Sequence, residues 1–177
     1  SWLLYDRKKM KKIIILIPVY NDWESLKKLL IEINENIKFF SNINFECLIV
    51  NDASTSEIPE LHKPSNFETI EILNMKENRG HARCNAFGIR YIFQNKKFDN
   101  LILMDGDGED RPEEIKSLVK KIKENPNLSV VAKRVKRSEG IFFQSLYQLH
   151  KLITIIFTGQ NINFGNYCLL TRNDVEK

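Results

Sequence analysis

Apolar positions along this chain follow two rhythms that take turns. Residues 13–17 (Ile-Ile-Ile-Leu-Ile) are an unbroken aliphatic run, the pattern of a strand covered on both faces. Residues 45–50, 69–73, 101–104 and 128–132 are further apolar stretches of strand length. Between them the apolar residues recur at three and four: Leu26, Leu30, Ile33 and Ile37, then Ala82, Ala86, Ile89 and Phe93, then Ile115, Leu118, Val119 and Ile122. That spacing gathers each set on one face of a helix. Asp22 can cap the first helix, the second is predicted over 78–93, and Pro112 suits the first turn of the third. A long aromatic helix is predicted over about 139–157.

Strand and helix alternating from end to end predict an α/β fold, a mostly parallel sheet flanked by helices with right-handed crossovers. Ligands of such sheets bind beyond the carboxyl ends of the strands. Four polar clusters sit at such ends or in the loops after them: 18–21, 51–54, 78–83 and 105–110. No repeat, linker or low-complexity stretch intervenes, and 177 residues suit one domain. Met10 opens the first strand like a natural start, so residues 1–9 are expected to be an appended extension. The domain is expected to run over 10–177 and to be cut short, because 174–177 read as the first turn of a further helix.

Composition narrows the classes. Hydrophobic content of 42% and charged content of 28% are those of a soluble globular domain. The net charge of +4 is spread out, with local knots at 8–12 and 133–137, which is too weak for a nucleic-acid partner; none is expected. Cys47, Cys84 and Cys168 lie far apart in no ligand spacing, which predicts free thiols in a reducing compartment. No apolar run approaches the ~20 residues of a membrane span, and no signal-peptide pattern opens the chain.

The chemistry concentrates at 105–114, where six acids fall within ten positions of a basic chain. Asp105 and Asp107 are two apart after an apolar strand, so their side chains leave on the same side. Gly106 and Gly108 let the backbone come close to a ligand. A calcium loop counted from Asp105 needs Gly at its sixth position and Glu at its twelfth, and finds Asp110 and Lys116. A phosphatase of the haloacid dehalogenase type, with Asp105 as nucleophile, places Thr where Glu109 stands. Acids that merely favour a helix start account for Glu113 and Glu114 but not for the Asp-Gly-Asp step. A clamp for a divalent cation and a diphosphate accounts for most of the cluster, and the phosphatase stays open beside it.

Three other clusters bear on a ligand. Asp52, ending an apolar strand, can accept a base N–H or close an Asx turn. Pro18-Val19-Tyr20-Asn21 can wall a base pocket, with Tyr20 giving an aromatic edge. Asn78, Gly80 and Arg83, with Arg79 between, offer guanidinium groups and helix-start amides to an anion. His81 reads as a polar residue of a helix's first turn more readily than as a base.

In order and spacing, Ile-Pro-Val-Tyr-Asn (17–21), Val-Asn-Asp-Ala-Ser (50–54), Asn-Arg-Gly-His-Ala-Arg-Cys-Asn (78–85) and Asp-Gly-Asp-Gly-Glu-Asp-Arg-Pro-Glu-Glu (105–114) resemble the family 2 glycosyltransferases over 13 to about 175. The acidic stretch and residues 164–172 are most similar to the subgroup that transfers sugars to polyprenyl phosphates, with 164–172 matching its acceptor-side loop. The resemblance implies a GT-A (Rossmann-like) fold and inverting transfer from a nucleotide-diphosphate sugar with Mg²⁺ or Mn²⁺. It implies that Asp52 binds the base, Asp105 the ribose or metal region, and Asp107 the metal. Pro18, Tyr20, Asn21, Asn78, Gly80, Arg83 and Gly106 would line the donor site. Family members that glycosylate hydroxyls carry a downstream acidic pair, and no Glu-Asp pair follows Asp110 here; the equivalent loop offers Asn166. A phosphate acceptor needs no base, so a lipid phosphate at a membrane surface is expected, with Arg134, Arg137 and Arg172 to hold it. The location implied is cytoplasmic, at the inner face of the membrane. The aromatic stripe of 139–157 could be core, a bilayer contact or a homo-oligomer contact. A nucleotide-binding domain without turnover is the remaining alternative.

Overall fold

The computed structural model describes residues 10–107, 110–126, 130–133, 142–144 and 168–176. In chain order the elements are β1 (Lys11–Val19), α1 (Trp23–Ile37), β2 (Ile43–Asn51), β3 (Phe67–Asn74), α2 (His81–Asn95), β4 (Asn100–Leu103), α3 (Glu114–Glu124), β5 (Val130–Lys133), β6 (Phe142–Gln144), β7 (Cys168–Thr171) and α4 (Arg172–Glu176). They form one sheet in the order β3-β2-β1-β4-β7-β5-β6. The β3-β2-β1-β4 body is parallel, and β7, β5 and β6 extend it through antiparallel pairs.

The aliphatic run of β1 explains the layering. Ile13, Ile15, Ile17 and Val19 face α1 and α3, meeting Leu26, Leu30, Ile33, Ile115 and Leu118. Ile14 and Leu16 face the other way and meet Cys84, Ile89 and Ile92 of α2. Every residue of 13–17 is fully buried, at about 1.5–3 kcal/mol per side chain relative to exposure. A strand with no wet face needs no alternation, which is why the run is continuous. Asp22 caps α1 as predicted, accepting from Ser25 N at 3.3 Å.

Strand order sets the place of a ligand. The chain steps outward from β1 to β2 to β3, then returns through α2 to lay β4 on the other side of β1. The order therefore reverses between β1 and β4, and a crevice opens beyond their carboxyl ends.

Three expectations need correction. The helix predicted from Asn78 starts at His81, with Gly80 as its N-cap at φ 83°. Residues 79 and 80 form a turn because their amides are bound to Asp52. The aromatic helix predicted over about 139–157 does not hold at Phe142–Gln144, which pair antiparallel with Val131–Lys133. Aromatic residues suit such a sheet edge; residues 145–157 lie outside the described residues. Finally, Cys168–Thr171, expected in a loop, is a buried strand slotted between β4 and β5. The three cysteines are free thiols, all buried.

Candidate active site

Beyond β4 the ladder continues one residue, with Met104 N donating to Leu16 O at 3.0 Å. The chain then turns. Asp105 N donates to Asp110 Oδ2 at 2.8 Å, and the Asp110 side chain is buried. That bond closes the acidic loop on itself. Gly106 lies against the tip of β1, where an added Cβ would stand 2.7 Å from Pro18 O. Only glycine permits this approach, and it brings Asp105 and Asp107 beside Pro18.

A cleft of about 200 Å³ results, lined by Pro18, Val19, Tyr20, Asp22, His81, Asp105, Gly106 and Asp107. Tyr20 is 46% exposed on its wall. Asp107 is exposed and Asp105 half-buried. His81 enters from the first turn of α2, its Nε2 2.6 Å from Asp105 Oδ1. Burial pulls the His81 pKa down, but the hydrogen bond to Asp105 and the charges of Asp105, Asp107 and Asp110 outweigh it. The net shift is upward.

Asp52 lies behind this cleft and not on its wall. Its Oδ1 accepts from Arg79 N at 2.8 Å and its Oδ2 from Gly80 N at 2.9 Å. The side chain is buried, so a base N–H reaches it only by sharing an oxygen with those amides. Burial and the adjoining Asp52 carboxylate push the Cys84 thiol up. Asn21 is also a brace. At φ 59° its Oδ1 accepts from Thr55 N at 2.8 Å and Ser56 N at 3.0 Å, which ties the β1 tip to the loop after β2. Asn78 Oδ1 accepts from Gly80 N at 3.2 Å within the same turn. Arg83 is exposed near the start of α2.

The structure thus brings together Pro18, Tyr20, Asp105, Gly106 and Asp107 from the expected set. Asn21, Asp52, Asn78 and Gly80 support them from behind. Arg172 does not join them. It follows β7, whose antiparallel register sets Thr171 opposite Asn100, so it emerges at the amino end of β4, roughly 15 Å from Asp105. There it stacks on Phe93 and Phe98 and donates to Lys96 O. Arg134, Arg137 and Asn166 lie outside the described residues. Sequence reasoning undervalued His81 and gave Asp110 no task; only the crossover that sets α2 against the tip of β4 assigns them one.

Asp105 and Asp107 suit a hard divalent cation by ligand chemistry. No cage of three or more His, Cys, Asp or Glu side chains is present among the described residues. Two carboxylates fit an ion whose remaining ligands are phosphate oxygens and water, the usual arrangement for Mg²⁺ with a nucleotide.

Switch-point crevice, acidic loop and strand order define a Rossmann-like domain of the GT-A type. The chain belongs to glycosyl transferase family 2, whose family model matches residues 14–172. It is 30% identical over 169 residues to the undecaprenyl-phosphate 4-deoxy-4-formamido-L-arabinose transferase of Salmonella choleraesuis (strain SC-B67), covering 94% of this chain and 50% of that protein. The transferase of the same name from Salmonella paratyphi B (strain ATCC BAA-1250 / SPB7) gives the same identity and coverage. Among solved structures, a mannosyltransferase from Pyrobaculum calidifontis in complex with GDP-Man and Mn2+ aligns with a TM-score of 0.57 at 17% identity, over 91% of this chain and 44% of that one. S. aureus TarS in complex with UDP-GlcNAc aligns with a TM-score of 0.55 at 17% identity, over 74% of this chain and 37% of that one. At such identities the structural likeness speaks for the fold. The chain spans about half the length of the relatives it matches. The family match also displaces the phosphatase reading of Asp105.

Among the described residues no helix is long and apolar enough to cross a membrane.

Proposed function

We propose that this domain transfers a sugar, with inversion, from a nucleoside-diphosphate sugar to a polyprenyl phosphate, with Mg²⁺ or Mn²⁺ as cofactor. The observation that carries this reading is the pairing of Asp105 and Asp107 with the Pro18–Tyr20 wall across the switch point. Asp107, with Asp105 beside it, would hold the cation, which offsets charge on the leaving diphosphate. Gly106 lets the backbone lie close to that charge, Tyr20 borders the base, and Arg83 adds a guanidinium near the start of α2.

The acceptor follows from chemistry and kinship together. A phosphate monoester is already anionic, so it attacks without a general base, and the sequence after Asp110 holds no Glu-Asp pair to supply one. Relatives named as undecaprenyl-phosphate transferases point the same way. Such an acceptor would be met at a membrane surface, and Arg134 is the basic residue we assign to its phosphate.

Calorimetric titration with UDP, GDP and CDP, each with and without Mn²⁺, tests the donor half. One nucleotide should bind at least about tenfold more tightly with the ion, and Asp107→Ala should abolish that gain. Binding indifferent to Mn²⁺, or a gain that survives Asp107→Ala, overturns it. Transfer to a short-chain alcohol in preference to undecaprenyl phosphate, measured with the full-length protein, overturns the acceptor half.

A further inference from the structure

We propose that His81 is a positioning residue: its imidazole holds the Asp105 carboxylate so that Asp105 and Asp107 present fixed oxygens to the donor's cation. This role rests on the reading of the cleft given above. A carboxylate on a loop rotates about its last torsion. A hydrogen bond to one oxygen stops that rotation and leaves the other oxygen directed. Here Nε2 of His81 lies 2.6 Å from Oδ1 of Asp105, while the Asp105 amide is tied to Asp110 at 2.8 Å. Both ends of the residue are therefore held.

His81 is itself held. Gly80 precedes it at φ 83°, and the amides of Arg79 and Gly80 end on the two oxygens of Asp52. The ring is not used in capping, since α2 begins without a side-chain cap. It reaches instead across the cleft it helps to line. A continuous path thus runs from Asp52 at the tip of β2, through the turn and His81, to Asp105 at the tip of β4. This assigns Asp52 a task it performs without touching a ligand: it fixes the origin of α2 and so the ring that holds Asp105. Hydrogen-bond partners of metal-binding carboxylates typically account for 10–100-fold in affinity.

The test compares His81→Phe, which keeps bulk and loses the donor, with His81→Gln, which keeps a donor. Each is titrated with UDP and with GDP, with and without Mn²⁺. His81→Phe should weaken Mn²⁺-supported binding by about tenfold or more while sparing metal-free binding, and His81→Gln should recover to within about threefold of wild type. His81→Phe with wild-type Mn²⁺ dependence, or His81→Gln as weak as His81→Phe, overturns the role. In the metal-free protein, Asp105→Asn should shift the ¹⁵N resonances of the His81 ring; an unmoved ring overturns the contact itself. A wild-type chain with no Mn²⁺-dependent nucleotide binding overturns the cleft reading and this role together. Normal wild-type binding with an unaffected His81→Phe overturns this role alone.

Discussion

The two ends of the sheet handle acid in opposite ways. At the amino end, Glu46 is buried between Lys12 at 2.5 Å and Lys96 at 3.4 Å. Glu71 there takes Lys96 at 2.8 Å and the Tyr91 hydroxyl at 2.6 Å. Each carboxylate meets a lysine. At the carboxyl end, Asp105, Asp107 and Asp110 crowd into six residues of chain, with an imidazole on Asp105 and a backbone amide on Asp110. Matched charges hold elements together, whereas acids concentrated at an open cleft hold affinity for a cation. Stability and binding are therefore assigned to different ends of the same strands.

A pair of substitutions can break that division. Asp107→Asn should lower kcat/KM by about 100-fold or more through loss of cation affinity, and leave Tm unchanged or slightly raised as like-charge repulsion is relieved. Glu46→Ala should do the reverse. It strands two lysines against apolar surface, at a cost of about 2 kcal/mol, less than a fully buried pair because Lys12 is 30% exposed. In a chain of this length that is a Tm drop of roughly 4–8 °C, with nucleotide affinity unchanged. Thermal melts and titrations on both variants decide it. A Tm loss in Asp107→Asn matching that of Glu46→Ala would mean that the acidic loop is a structural element.

The ends should also respond oppositely to pH. Burial tends to raise the Glu71 pKa, but hydrogen bonds from Lys96 and Tyr91 and the Lys96 charge leave it below its ordinary 4.5. A depressed carboxylate stabilises the fold above its ordinary value, and that contribution is lost as pH falls through the folded value. His81 is raised above its ordinary 6.5, so its contact with Asp105 stabilises the fold below that value and loses effect as pH climbs through the folded one. Both side chains are substantially exposed, so the slopes will be shallow. In metal-free melts from acid to mild alkali, Tyr91→Phe should flatten the acid limb and His81→Gln the upper limb. Crossed effects, or none, would break the comparison.

The parallel body of the sheet was legible because β1 and β2 are buried on both faces and continuous aliphatic runs have few other readings. The edge was not. Phe142–Gln144 and Cys168–Thr171 are three and four residues long, and their partners are distant in sequence, so no local period distinguishes them from helix or loop. One missed reversal explains the misplaced arginine. With β7 antiparallel to β4, Arg172 leaves at the amino end; a parallel β7 would have delivered it to the cleft. For the site, the acids and the Pro18–Tyr20 wall were visible as strand termini. The tasks of Asp52, Asn21 and Asp110 were not, because each acts on backbone amides that only the fold brings near.

The smallest effect sharpens the comparison at the carboxyl end itself. Ala53 follows Asp52 at φ 55°, a left-handed conformation that costs a residue bearing a Cβ about 1–2 kcal/mol. Glycine avoids that cost but gives back about 0.5–1 kcal/mol of unfolded-state entropy. Ala53→Gly should therefore stabilise the domain by about 0.5 kcal/mol, a Tm gain of roughly 1–2 °C. Asn21 has nearly the same φ, yet it is not equivalent, because its Oδ1 holds Thr55 and Ser56. If strain at Ala53 is only the cost of turning the chain beneath Asp52, the gain in Tm comes with unchanged Mn²⁺-supported nucleotide affinity. A gain in Tm with weaker binding would mean that the strained turn sets the position of Asp52 and, through α2, of the cleft acids. The stable and the binding ends would then be coupled through this one residue.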